Sequence, residues 1–233
     1  MHVPDGFFDA PTSVAAGGVA LVGVAACLRG ARRELDERTA PLAGLVAAFV
    51  FAVQMLNFPV GAGTSGHLMG GALAAVLIGP YAGAMAVSVV LLVQALLFAD
   101  GGLSALGINV ILMALITTVV GYGVFRLVMG VLPKRVSSVP LAAGIGAFVS
   151  VPVAAIAFVG FYAIGGTADI SLAAVATAMI GVHLLIGVGE GIITALTVGS
   201  VLAVRPDLVY GARDLLPKQQ LELRPTSTRE PTS

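Results

Sequence analysis

Apolar positions in this chain do not alternate with polar ones. They run almost uninterrupted over approximately 12–29, 41–59, 66–79, 80–98, 103–127, 139–163 and 172–204. Runs of that length predict helices surrounded by lipid rather than half-buried strands or surface helices. Seven helices follow. Segment 66–79 is short against the about 20 residues that a bilayer crossing needs. It also holds Gly66, Gly70, Gly71 and Gly79, so it is expected to be tilted or packed inside the bundle. The last stretch is long enough to project beyond the membrane or to bend near Gly187, Gly189 and Gly191.

Composition points the same way. Hydrophobic residues make up 58% of the 233 positions and charged residues 10%, with a mean hydropathy of +1.03. Soluble domains carry about 25% charged residues, and a chain this poor in charge could not cover its own surface in water. The expected fold class is an all-α integral membrane protein, a bundle of about seven transmembrane helices. Residues 1–205 form a single transmembrane domain that includes an N-terminal loop over 1–11. A polar tail over 206–233 is expected to be partly disordered. The lone cysteine, Cys27, excludes an internal disulfide framework and a cysteine metal cluster.

Charge adds an orientation. The twelve Lys and Arg residues cluster at Arg29 to Arg38, at Arg126 to Arg135 and from Arg205 onward. In a seven-span arrangement all of them fall on one face, which the positive-inside rule makes cytoplasmic. The N-terminus then faces out and the C-terminus lies in the cytoplasm. The outer face carries Asp5, Asp9, Asp100 and Asp169, a rim that concentrates cations. The localisation expected is the cell membrane, crossed several times. The first ten residues hold no Lys or Arg, unlike a secretory leader, and the bulky His2 discourages trimming of Met1. The terminus is therefore expected to stay intact.

An intact terminus followed at once by histidine is a chelate. The Met1 amine, the His2 amide nitrogen and His2 Nδ1 can reach one metal ion through a five- and a six-membered ring. A lone histidine in a tail is ordinarily just exposed. Against that stand the outward placement, the retained terminus and the stiffening by Pro4. A planar nitrogen set favours Ni(II) or Cu(II) over tetrahedral zinc. His67 ends the segment Asn57-Phe58-Pro59-Val60-Gly61-Ala62-Gly63-Thr64-Ser65-Gly66. It reads either as a fourth ligand or as a loop residue before a helix capped by Thr64 and Ser65.

Other polar residues sit near the outer helix ends. Gln54, Asn57, Gln94 and Asn109 could orient ligand histidines or simply hold helices together. His183 and Glu190 lie seven apart, on one helix face. They read as a metal route or as a buried hydrogen-bonded pair between helices. Small residues at four-residue spacing (Ala43 and Ala47, Gly44 and Ala48) allow close helix contact, within the chain or with another membrane subunit. No GxxxxGK[ST], HExxH or GxSxG motif occurs, which excludes a Walker A site and the common zinc and serine hydrolases. Uphill transport would need energy from another subunit.

These residues resemble a known family. MHVPDGFF at the start, FAVQMLNFPVGAGTSGHLMGG at 51–71, LGINVILMAL at 106–115 and HLLIGVGEGIIT at 183–194 are similar to the CbiM/NikM family. Its members are substrate-binding S components of energy-coupling-factor (ECF) transporters for cobalt and nickel. The resemblance implies that the N-terminal loop folds in from outside. It implies a metal held by the Met1 amine, the His2 amide and imidazole, and His67. It implies no catalysis and no permanent cofactor, the Co2+ or Ni2+ being cargo. The partners it implies are a transmembrane coupling subunit of the EcfT type, cytoplasmic ATP-binding subunits and a small accessory membrane subunit. Nucleic acid is not expected as a partner. Cobalt would serve cobalamin biosynthesis, and nickel would supply nickel enzymes. Two rivals stand beside this reading: an intramembrane zinc enzyme built on His67, His183 and Glu190, and a structural membrane protein.

Overall fold

The structure is a computed structural model that describes residues 1–37, 39–61 and 64–216. The expected tail therefore lies outside the described residues from 217 onward, as do Arg38, Lys218, Arg224 and Arg229. Each apolar run of the sequence contains a helix. We label them α1 (Ala10–Glu34), α2 (Ala40–Gln54), α3 (Gly71–Ile78), α4 (Pro80–Leu97), α5 (Leu106–Val131), α6 (Val139–Gly165) and α7 (Leu172–Val204). Five of them, α1, α4, α5, α6 and α7, are long and apolar enough to cross a membrane. The protein is an all-α integral membrane protein, and α2 and α3 are its exceptions in length.

At 8 residues, α3 rises only about 12 Å, less than half of a hydrocarbon core about 30 Å thick. All eight of its residues are buried, so it is a central strut walled by other helices, as its glycines suggested. Gly70 (φ 78°) and Gly79 (φ 100°) bracket it. Both lie in the left-handed region, where a side chain would be strained. Pro80 then starts α4 at a position where the missing N–H costs nothing.

The sequence reading carried α2 on to residue 59, but the helix ends at Gln54. Pro59 cannot continue it. The chain instead forms a small antiparallel hairpin, Phe58–Gly61 against Thr64–Gly66. This turn delivers His67 to the head of α3. Inside α5, residues Val110–Ile116 form a π-helical stretch, a widening often found at functional positions. It begins at the residue after Asn109.

The helices α6 and α7 pack closely through glycines. A Cβ on Gly144 would stand 2.8 Å from the Gly191 carbonyl oxygen, and one on Gly191 would stand 2.9 Å from that of Gly144. Such approach is how helices associate where burial from water gives no drive. On α2, Ala43 and Ala47 are half-buried in the bundle, while Gly44 and Ala48 face outward. Arg29, Arg33 and Arg213 line one cavity at the C-terminal end of α1, whereas the N-terminal loop lies at its other end.

Candidate metal centre

The first nine residues form a docked loop. Val3 is pinned on both sides. Its N–H donates to Asn109 Oδ1 at 2.9 Å. Its carbonyl accepts from Asn109 Nδ2 at 3.3 Å and from the Gly102 N–H at 2.7 Å. Asp5 Oδ1 accepts from the Ser104 N–H at 2.7 Å and from the Ser104 hydroxyl at 2.6 Å. The Ser104 hydroxyl and N–H hold that exposed carboxyl below its usual range. Phe7 and Phe8 stack against Phe158 of α6. Asp9 donates its N–H to the Gly165 carbonyl at 2.8 Å and caps α1 through Thr12. The loop thus rests on two interhelical turns, 101–104 and 165–167. No Cβ would fit on Gly102, because the Asp5 backbone occupies that space.

This docking buries the terminus. Met1 is 0% exposed and His2 is 4% exposed. The His2 and His67 rings come together, with centroids 4.5 Å apart and planes inclined at 39°. Their ring nitrogens carry the chemistry. His67 Nδ1 lies 2.8 Å from the Leu68 carbonyl, which makes it the N–H donor and leaves Nε2 with a free lone pair. His183 Nδ1 makes the same bond to the Met179 carbonyl, at 2.7 Å. The Nε2 atoms of His2, His67 and His183 are all buried without a hydrogen-bond partner. All three histidines of the chain therefore lie buried with an unpaired nitrogen. His183 also interacts electrostatically with the Met1 amine and with His67.

Burial also sets protonation. Desolvation pushes the Met1 amine down from 8.0 to about 4, with Asp100 opposing, and the His2 imidazole down to about 3, aided by the amine charge. Both are neutral at pH 7, with lone pairs available to a cation. The docked amine holds fewer protons than a free one between about pH 4 and 8. Docking therefore gains stability as pH rises through that window and loses it as pH falls.

Among the described residues no group of three or more His, Cys, Asp or Glu side chains is placed to hold a metal. What lies together is the buried terminal residue and the His2 and His67 rings. Unpaired buried polar atoms are rare in folded proteins. Here they sit on His2, Gln54, His67, Gln94 and His183, all residues that the sequence marks as candidates.

The remaining candidates divide by role. Glu190 does not pair with His183. Its carboxylate accepts from the Met69 N–H at 2.6 Å and from the Gly70 N–H at 2.8 Å, closing the N-terminus of α3 directly behind His67. Gln54 donates to the Met69 carbonyl at 2.7 Å. These two side chains therefore fix the segment that presents His67. With Glu190 committed to backbone amides, the zinc-enzyme reading loses its acid–base group. Glu190→Ala would leave two buried N–H groups unpaired, at about 1–3 kcal/mol each. We expect a lower unfolding temperature in detergent and weakened metal binding, both partly restored by Glu190→Gln. An unchanged unfolding temperature would show that the clamp is not structural.

Asn57 donates to Asp100 Oδ2 at 2.9 Å, and the same oxygen lies 3.8 Å from His2 Nε2. At that distance Asp100 makes no hydrogen bond to the His2 ring, but it sets a carboxylate beside the buried terminus, where its charge favours the protonated Met1 amine. Sequence reasoning placed Asp100 only in an acidic rim. The Asn57 contact spans 43 positions, and no local pattern announces it.

Fold and site together define a class: a multi-pass membrane protein with a buried, neutral nitrogen cluster of the kind that transition metals prefer. Residues 2–208 match a family model, CbiM, described as the cobalt uptake substrate-specific transmembrane region. The chain belongs to that family. It is 35% identical over 217 residues to the cobalt transport protein CbiM of Sorangium cellulosum, covering 90% of this chain and 94% of that one. An Archaeoglobus fulgidus chain assigned as a fused nickel transport protein, NikMN, is 41% identical over 210 residues, covering 90% of this chain and 68% of that one. The crystal structure of a truncated transition metal transporter superposes with a TM-score of 0.80 at 31% identity, covering 87% of this chain and 99% of that one.

Proposed function

We infer that this chain is the metal-capturing subunit of an ATP-driven importer of the energy-coupling-factor type, with Co2+ or Ni2+ as cargo. The Met1 amine, the His2 amide nitrogen, His2 Nδ1 and His67 Nε2 form a planar nitrogen set around the ion, with Asn109 and Ser104 holding the loop in register. The observation that carries this reading is the full burial of Met1 together with the inclined rings of His2 and His67, 4.5 Å apart. The metal enters from the outer, acidic face, and the basic end meets the cytoplasm. A coupling membrane subunit, cytoplasmic ATP-binding subunits and a small accessory membrane subunit complete the importer, because this chain has no phosphate-binding loop of its own. Fusion in the NikMN relative fits a companion that acts next to the metal-binding chain.

Proton release tests the ligand set. The amine and the His2 imidazole are already deprotonated in the docked loop, so metal binding releases chiefly the amide proton. Affinity should then rise about tenfold per pH unit between about pH 6 and 8. Calorimetry in buffers of different ionisation enthalpy reads that proton directly. An affinity that does not change with pH would remove the amide from the ligand set.

A further inference from the structure

We propose that the seam between α1 and α4 binds one anionic phospholipid, with its phosphate among Arg29, Arg33 and Arg213 and an acyl chain in the apolar groove beyond them. The polar part is a cavity of about 480 Å3 at the basic end, lined by these arginines together with Tyr81 and Tyr210. Arg29 and Arg33 stand four residues apart, on one face of α1. Like charges at that spacing repel, and among the described residues neither forms an ion pair. Arg213 lies 3.6 Å over the Tyr210 ring and donates to its hydroxyl at 2.7 Å, which holds the guanidinium at the cavity wall. Glu34 lines the same cavity, but its carboxylate accepts from the Ala82 N–H at 2.7 Å and so caps α4. Three guanidinium groups therefore face one carboxylate that is already engaged. Guanidinium matches a phosphate diester in both charge and fork geometry.

The apolar part follows on the same two helices. A groove of about 620 Å3 runs between Leu21, Val24 and Leu28 of α1 and Met85, Val89 and Leu92 of α4. Leu28 adjoins Arg29, and Met85 is one turn beyond Tyr81, so cavity and groove lie end to end. The lining extends from Leu28 back to Ser13, about 22 Å along the helix. That reaches past the midplane of a core about 30 Å thick, as an acyl chain does. A cationic pocket continuous with an apolar groove, at the end that the positive-inside rule assigns to the cytoplasm, fits a lipid of the anionic inner leaflet. A partner helix would need acidic side chains in register with both Arg29 and Arg33.

The test is native mass spectrometry of the full chain released from nanodiscs of phosphatidylglycerol or of phosphatidylcholine. One phosphatidylglycerol should be retained, and phosphatidylcholine should not. The triple variant R29Q/R33Q/R213Q should lose retention by about 100-fold, since each basic side chain contributes roughly a fivefold factor. Ala25→Phe, which fills the groove, should also weaken retention, and soluble glycerophosphate should not displace the lipid. Nickel binding at the opposite end serves as the folding control. If the triple variant does not fold, Arg33→Gln alone and loss of wild-type retention with added salt decide the matter. Equal retention of both lipids, retention by the arginine variants, indifference to Ala25→Phe, or crosslinks from Val24 to a protein subunit in place of lipid would each overturn the proposal.

Discussion

Extension of the chain by a single residue before Met1 is expected to abolish tight nickel and cobalt binding. The added peptide bond converts the amine into an amide, which is no donor until it loses its proton. It also pushes new atoms into a site where Met1 is fully buried. One donor is lost and the buried site is crowded at the same time. The loss should therefore exceed the about 10–100-fold that removal of a supporting residue typically costs. Met1→Leu keeps the amine and should retain binding, because the proposed ligand is the backbone nitrogen rather than the sulfur. The measurement is titration calorimetry of the purified chain with and without the extension. Binding that survives the extension and still depends on His67 would show that the Met1 amine is not a required donor.

The second large effect is expected at the two ring ligands. His67→Ala removes the one donor that comes from outside the terminus. His67 lies at the head of a helix clamped independently by Glu190 and Gln54, so the fold should persist while affinity falls at least about 100-fold. His2→Ala should do similar damage, because it breaks the six-membered ring of the chelate. The His183 ring is the useful contrast. It is buried with an unpaired Nε2 but outside the proposed ligand set, so His183→Ala should reduce affinity by less than either. A His183→Ala loss as large as that of His67→Ala would place His183 on the metal.

How far the chain could be read from sequence varied with the range of each interaction. The helices α1, α4, α5, α6 and α7 follow from hydropathy alone, because lipid demands long apolar runs. The end of α2 did not follow. Phe58 to Gly61 is apolar enough to pass for helix, and only Pro59 hinted at the hairpin. Met1, His2 and His67 stood out as candidates because a terminal Met-His dipeptide and a GTSGH block are local patterns, and the structure buries all three residues. The supports were not. Glu190 reaches Met69 across 121 positions, and Asn109 reaches Val3 across 106. Such pairings arise from helix packing, which a single sequence does not display. The role of His183 and Glu190 changed for the same reason: their spacing put them on one face, but each bonds to backbone rather than to the other.

The donor atoms around the ion are read directly by X-ray absorption spectroscopy of the nickel-loaded chain. Four nitrogen neighbours in a planar arrangement are expected, with no sulfur and no carboxylate oxygen in the inner sphere. A tetrahedral centre, or one that contains the Met1 sulfur or a carboxylate oxygen, would contradict this ligand set.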